Sequence, residues 1–129
     1  PEEGMRIFGR GIRRRLAPML GGGGPRLGMV LSLLFSLPGA PMLYYGDEIG
    51  MGDDLSLPER YPVRTPMQWS TDGPNGGFSE APSDRLKWPV ISGDPWGFER
   101  INVADQRADA DSTLCRVRDL IAVRKDCPV

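Results

Sequence analysis

Two adjacent carboxylates, Asp47 and Glu48, stand just after a short apolar segment, Pro41–Tyr45, that is closed by Gly46. In α/β folds, ligands collect outside the carboxyl ends of buried strands, so this pair marks where chemistry or ligand contact is expected. Of the two tyrosines before it, one is expected in the core and the other, Tyr45, against a pocket. Asp53 and Asp54 suggest calcium, but two carboxylates without the rest of a ligand loop fit a solvated loop better. Trp69, Trp88 and Trp96 can each stack on a ring or serve as a buried anchor. Arg13, Arg14 and Arg15 read as a solvated helix face. No aromatic residues interleave with them, so nothing points to a nucleic-acid partner. The chain has no histidine, which excludes Ser-His-Asp catalysis and His-ligated metal within it. No cofactor is expected.

The elements that must position these residues centre on 29–51. The apolar run Met29–Leu37 can extend back to Arg26 and is cut off by Pro38-Gly39, which predicts a buried helix with a sharp stop. Met42–Tyr45 is short, apolar and unalternating, as in a strand buried on both faces of a parallel sheet. Upstream, Pro1–Phe8 reads as a loop. Gly11–Leu20 reads as a short helix with Ile12, Leu16, Met19 and Leu20 on one side, and Gly21–Gly24 as a break. From Met51 to about Ala81, and again from Arg85 to Phe98, turn-forming residues are spaced by single hydrophobes, so irregular connections are expected. A final helix follows Asp111-Ser112, which supply N-cap candidates. Leu114, Val117, Leu120 and Ile121 form its stripe, Arg124 and Lys125 suit its C-terminal dipole, and Pro128 stops it.

Size limits what these elements can build. The 129 residues, 40% hydrophobic and 26% charged, suit a modest globular core. A net charge of −1 favours neither nucleic acid nor a membrane, although the first 26 residues hold six arginines against Glu2 and Glu3. No apolar run is long enough to span a bilayer. Cys115 and Cys127 lie along and just after one helix, too far apart to pair, so free thiols in a reducing, cytoplasmic compartment are expected. One buried strand cannot satisfy its main-chain groups without neighbours on both sides. The chain therefore reads as a piece of a larger α/β domain.

Several motifs carry a resemblance to a known family. Pro38–Met51, PGAPMLYYGDEIGM, closely resembles the eighth-strand region of the α-amylase superfamily, glycoside hydrolase family thirteen. Arg64–Trp69, RTPMQW, is similar to a signature of its oligo-1,6-glucosidase and trehalose synthase branches, and Gly77-Phe78-Ser79 resembles the segment that follows it there. Gly11–Leu20, Gly50–Leu55, Ile101–Gln106 and the final helix are most similar to the trehalose synthase branch. The resemblance covers nearly the whole chain, with its motifs in the family's order.

It implies a (β/α)₈ barrel of which residues 1–129 are a C-terminal part: the strand-eight region with its flanking helices, incomplete as a domain. A whole barrel needs about 250 residues. The implied activity of the parent is interconversion of maltose and trehalose, or action on related α-glucosides, by retaining transfer. Hydrolysis of α-glucosidic bonds and a catalytically silent fragment are the alternatives. The implied partners are the rest of the barrel and a C-terminal β domain in the same parent chain. The three carboxylates that perform the chemistry in the family follow strands four, five and seven, so no catalytic residue is expected here. Retaining chemistry needs two carboxyls about 5–5.5 Å apart across the scissile bond. Asp47 and Glu48, adjacent on an extended chain, would point to opposite faces. By resemblance, Arg64 reaches the glucose at the subsite of cleavage, where its planar fork can hold two hydroxyls. A structural ion pair is the alternative for Arg64. By resemblance, Glu48 lies at the pocket edge, holding the second sugar or organising the loop. Asp47 is expected to be structural.

Overall fold

The computed structural model describes residues 6–7 and 11–127. Most of Pro1–Phe8, and the stop at Pro128, lie outside the described residues. Strand β1 (Arg6–Ile7) pairs antiparallel with β2 (Gly11–Ile12), Arg6 opposite Ile12. Four α-helices follow among the described residues: α1 (Leu16–Met19), α2 (Pro25–Ser36), α3 (Val103–Ala108) and α4 (Thr113–Asp126). The expected helix over Gly11–Leu20 shrinks to one turn, because Arg13 and Arg14 are drawn away to partners on another loop. Arg13 Nη2 donates to the carbonyls of Leu55 (2.9 Å) and Leu57.

Helix α2 forms where apolar periodicity predicts it, opening with Pro25 at its first position and leaving helical geometry at Leu37, just before Pro38. Leu27, Leu31 and Phe35, spaced four apart, are buried against Ala17 of α1 and Val117 of α4. The helix is only half buried, however: Met29 and Leu33 on its other side are 67% and 59% exposed. Gly28 lets α4 come close, since a Cβ there would lie 2.0 Å from Arg116 Nη1. Helix α4 starts as the sequence predicts, with the Ser112 side chain accepting from the Cys115 amide. Arg124 does not simply complement its own helix. Its guanidinium donates to the carbonyls of Phe35, Leu37 and Gly39, closing the C-terminal end of α2 instead.

The expected strand over Met42–Tyr45 is not paired in a sheet. Residues 41–44 run without regular structure, and Met42 is 87% exposed. The physical reason is the one that makes a lone strand impossible: no described segment offers it main-chain partners. A second core cluster of Ile49, Met51, Met67 and Val103 joins the segments that follow. Between them, 51–101 holds only single-turn helices, at Tyr61–Val63, Pro74–Gly77 and Ser83–Arg85. Cys115 is buried and Cys127 exposed, and both are free thiols. No helix among the described residues is long and apolar enough to cross a membrane.

Candidate functional site

The Gly-Asp-Glu-Ile-Gly sequence folds as a tight bend around one turn of 3₁₀ helix, Asp47–Ile49. Gly46 and Gly50 flank it with φ of 89° and 68°, a left-handed geometry that favours glycine. A Cβ at Gly46 would also sit 2.7 Å from Met51 Sδ. Asp47 and Glu48 are therefore not on extended chain as expected, yet they still diverge. Asp47 faces Arg15 and Arg60 in one cavity, while Glu48 borders another with Arg64.

That second cavity, of about 440 Å³, brings Tyr45, Glu48 and Arg64 together. Thr65, Trp69, Phe78, Lys87 and Trp88 complete most of its wall. The Arg-Thr-Pro-Met-Gln-Trp segment builds one side by dividing its residues between inside and outside. Thr65 and Gln68 are fully buried, whereas Arg64 and Trp69 are exposed. Gln68 anchors the strap, donating through Nε2 to the carbonyls of Trp96 (3.0 Å) and Ile101 (2.9 Å). Its own carbonyl accepts from the Val103 amide at 3.1 Å. Phe78 is presented by a loop that Asn75 organises, its Nδ2 donating to the carbonyls of Ser79 and Ala81, both at 2.8 Å.

The bend is fixed from two sides. Gln106 Nε2 donates to the Ile49 carbonyl at 2.7 Å, with α3 held by the Asn102 cap on the Asp105 amide. From the other side comes Arg15, 2% exposed. Arg15 Nη1 donates to the Tyr45 carbonyl at 2.6 Å and Nη2 to the Val63 carbonyl at 2.9 Å. The reading of Arg13 to Arg15 as a solvated face is thus corrected: all three hold neighbouring loops. Nor is Asp53 part of a solvated loop. It pairs with Arg14 Nε at 2.9 Å and accepts the Arg15 amide at 2.8 Å, with its side chain 3% exposed. Asp54 turns onto Ser56, accepting from its amide and hydroxyl at 3.0 and 2.6 Å. Three arginines in a row look like one polar stripe, and their acceptors, mostly main-chain carbonyls some forty residues away, leave no local signal.

Electrostatics set the protonation states here. Burial pushes the Tyr45 phenol above its usual 10.0, and Tyr44 adds to the rise. Arg15 and Arg64 pull the other way without reversing it. The phenol therefore keeps its proton and donates it to the Thr65 carbonyl at 2.9 Å. Burial likewise raises the Asp47 carboxyl above 3.8 despite Arg15. The Asp47–Arg15 separation of 3.5 Å is an ion pair by distance, and an ion pair alone would lower that value. Loss of water on burial is the larger effect and outweighs the attraction of Arg15. The Arg64 guanidinium and the Glu48 carboxylate form no hydrogen bond or ion pair with any described residue.

The tryptophans divide between the two roles open to them. Trp69 and Trp88 line the cavity, and Trp88 pairs with Tyr61 at 4.4 Å between ring centroids. Trp96 packs instead on the core and against Gly52, where a Cβ would come within 2.4 Å of it. Lys87 is a cavity residue that the sequence does not single out, and Phe78 is marked there only through the Gly77-Phe78-Ser79 segment. What the arrangement offers is a half-open recess with flat aromatic faces and a guanidinium and a carboxylate that have no partner among the described residues. Such a surface can stack an apolar ring face and bond its hydroxyls.

Comparison with known proteins gives this recess a family. A 118-residue stretch is 48% identical to a trehalose synthase/amylase, TreS, of Mycobacterium tuberculosis, covering 92% of this chain and 20% of the relative. A trehalose synthase of Thermus thermophilus is 47% identical over 114 residues, 88% of this chain and 12% of its own length. The chain thus spans a fifth or less of these curated relatives. The crystal structure of trehalulose synthase MutB from Pseudomonas mesoacidophila MX-45 matches 89% of this chain and 26% of its own, at 21% identity and a TM-score of 0.68. That likeness is one of fold, and it is consistent with a partial barrel. The α-amylase catalytic-domain pattern matches residues 13–129, and the chain belongs to the α-amylase family.

Proposed function

We propose that this chain is the strand-eight region of a (β/α)₈ barrel, with its flanking helices, in an enzyme that interconverts maltose and trehalose by retaining α-glucosyl transfer. In this reading Arg64, Glu48 and Tyr45 contact the sugar and supply no catalytic carboxylate. Arg64 holds hydroxyls of the glucosyl unit with its two-pronged fork. Glu48 accepts from a hydroxyl at the opposite edge, and the Tyr45 oxygen accepts from another. Trp69 and Trp88 offer ring faces. The observation that carries the reading is the cavity itself, which an exposed arginine and a carboxylate, neither with a partner among the described residues, line together with aromatic side chains. An arginine serving only as a structural ion pair would have a carboxylate beside it.

The exposed apolar residues of α2 and of 41–44 support a parent barrel whose other strands and helices cover them. The family's three reacting carboxylates belong to those other parts, followed by a C-terminal β domain. The free thiols Cys115 and Cys127 suit a cytoplasmic enzyme.

The test is made on the whole protein that contains this chain. It is incubated with maltose, and sugars are followed by proton NMR. Trehalose accumulating well above free glucose supports intramolecular transfer. Glucose alone identifies an α-glucosidase instead, and no change in maltose removes both activities.

A further inference from the structure

Arg15 is buried, yet no carboxylate lies within ordinary hydrogen-bond distance of its guanidinium; the nearest, Asp47 Oδ1, is at 3.5 Å. Its two prongs end on main-chain carbonyls from two separate loops, those of Tyr45 and Val63. One acceptor belongs to the cavity residue Tyr45, and the other precedes the cavity residue Arg64. The guanidinium lies 5.0 Å from the Tyr45 ring centroid and 5.3 Å from that of Tyr44, so the rings brace it from a third direction.

Burying a charge in this way is costly, and a packed apolar residue would serve stability as well or better. An apolar residue cannot span two carbonyls at a set separation. A rigid planar fork can. Gly46 lies against the same group: a Cβ added there would stand 3.2 Å from Arg15 Nη1, so the bend is shaped around the guanidinium.

We propose that Arg15 is a positioning residue, whose fork sets the spacing between Tyr45 and Arg64 and so the width of the recess that receives the glucosyl unit. This deepens the reading of the cavity as a sugar site and rests on it. Lysine at this position keeps the charge but has a single ammonium, which cannot reach both loops in the same geometry. Since the spacing it sets matters to the substrate only while Arg64 grips the sugar opposite Tyr45, much of its effect depends on Arg64, and the two substitutions cannot be independent.

The test is a double-mutant cycle in the whole enzyme, reading kcat/KM for maltose and Tm for Arg15→Lys, Arg64→Ala and the pair. Arg15→Lys is expected to lower kcat/KM by about tenfold in the natural background, and by less than about threefold when Arg64 is already alanine. Equal fold-losses in both backgrounds would overturn the proposal, because a purely structural role acts through folding whatever residue stands at 64. Full kcat/KM in Arg64→Ala alone would remove Arg64 from the sugar site and this inference with it. A loss in that variant with additive effects in the cycle would overturn the positioning role only. Should Arg15→Lys not accumulate, Arg15→Gln, which keeps one amide donor, takes its place in the cycle. If neither variant yields folded enzyme, Arg15 is a folding residue and the proposal fails.

Discussion

The phenol of Tyr45 donates to the carbonyl oxygen of Thr65 at 2.9 Å, fastening the bend after the apolar segment to the strap that carries Arg64. Tyr45→Phe leaves the ring in place and the Thr65 carbonyl without its donor, which should destabilise the protein by about 1 kcal/mol. Because burial raises the phenol above 10.0, its neutral form is the one the fold favours. That contribution is complete below pH 10.0 and is lost as pH rises through the higher folded value. Absorbance titration of the folded protein should therefore show a late-ionising tyrosine that Tyr45→Phe removes. An unchanged alkaline limb in the variant would contradict this.

Two caps hold the scaffold behind the bend. Ser112 accepts from the Cys115 amide at 3.2 Å, a bond whose loss in Ser112→Ala should weaken α4 by about 1 kcal/mol. Asn102 caps α3 and also donates to the Phe98 carbonyl and to Asp105, and it is fully buried. Asn102→Ala should accordingly cost more than the serine change. Urea unfolding of both variants in the whole protein gives the order, and a larger effect at Ser112 would show that the Asn102 network is dispensable.

The legible part of the fold was the part whose energetics are local. Leu27, Leu31 and Phe35 repeat at helical spacing, Ser112 precedes an amphipathic run, and Pro38-Gly39 stops a helix, so α2 and α4 could be read directly. The run Met42–Tyr45 has a strand's composition, but a strand is made by its neighbours, and no described segment supplies them. Arg15 was hidden for a related reason: its partners are carbonyls, which carry no residue-type signature, on loops far along the chain. Arg64 and Trp69 were visible through their motif. Phe78 was marked only as part of the Gly77-Phe78-Ser79 segment, and Lys87 sits in a turn-rich stretch where spacing says little about direction.

Left largely open by the described residues, Met29, Leu33, Leu37 and Met42 are 67%, 59%, 51% and 87% exposed. Apolar surface of that kind associates. The isolated chain is expected to aggregate, or to form a loose state that binds a hydrophobic dye, and to leave maltose, trehalose and aryl glucosides untouched. A monomer with a sharp two-state unfolding transition, measured by scattering and circular dichroism, would establish an autonomous domain. Turnover by chain purified free of host glucosidase would place catalytic groups within it.

The proposed sugar site depends most on what Arg64 does, and one substitution in the whole enzyme reads it. Arg64→Lys keeps the positive charge and loses the two-pronged geometry. If the fork grips a glucosyl ring that distorts toward an oxocarbenium-like transition state, its bonds tighten there. The expected result is a kcat/KM for maltose lower by about 1.5–3 kcal/mol, the scale of one charge-assisted hydrogen bond, with Tm nearly unchanged. A lower Tm with nearly normal kinetics in the molecules that stay folded would make Arg64 structural. Full kcat/KM at unchanged Tm would remove it from the site.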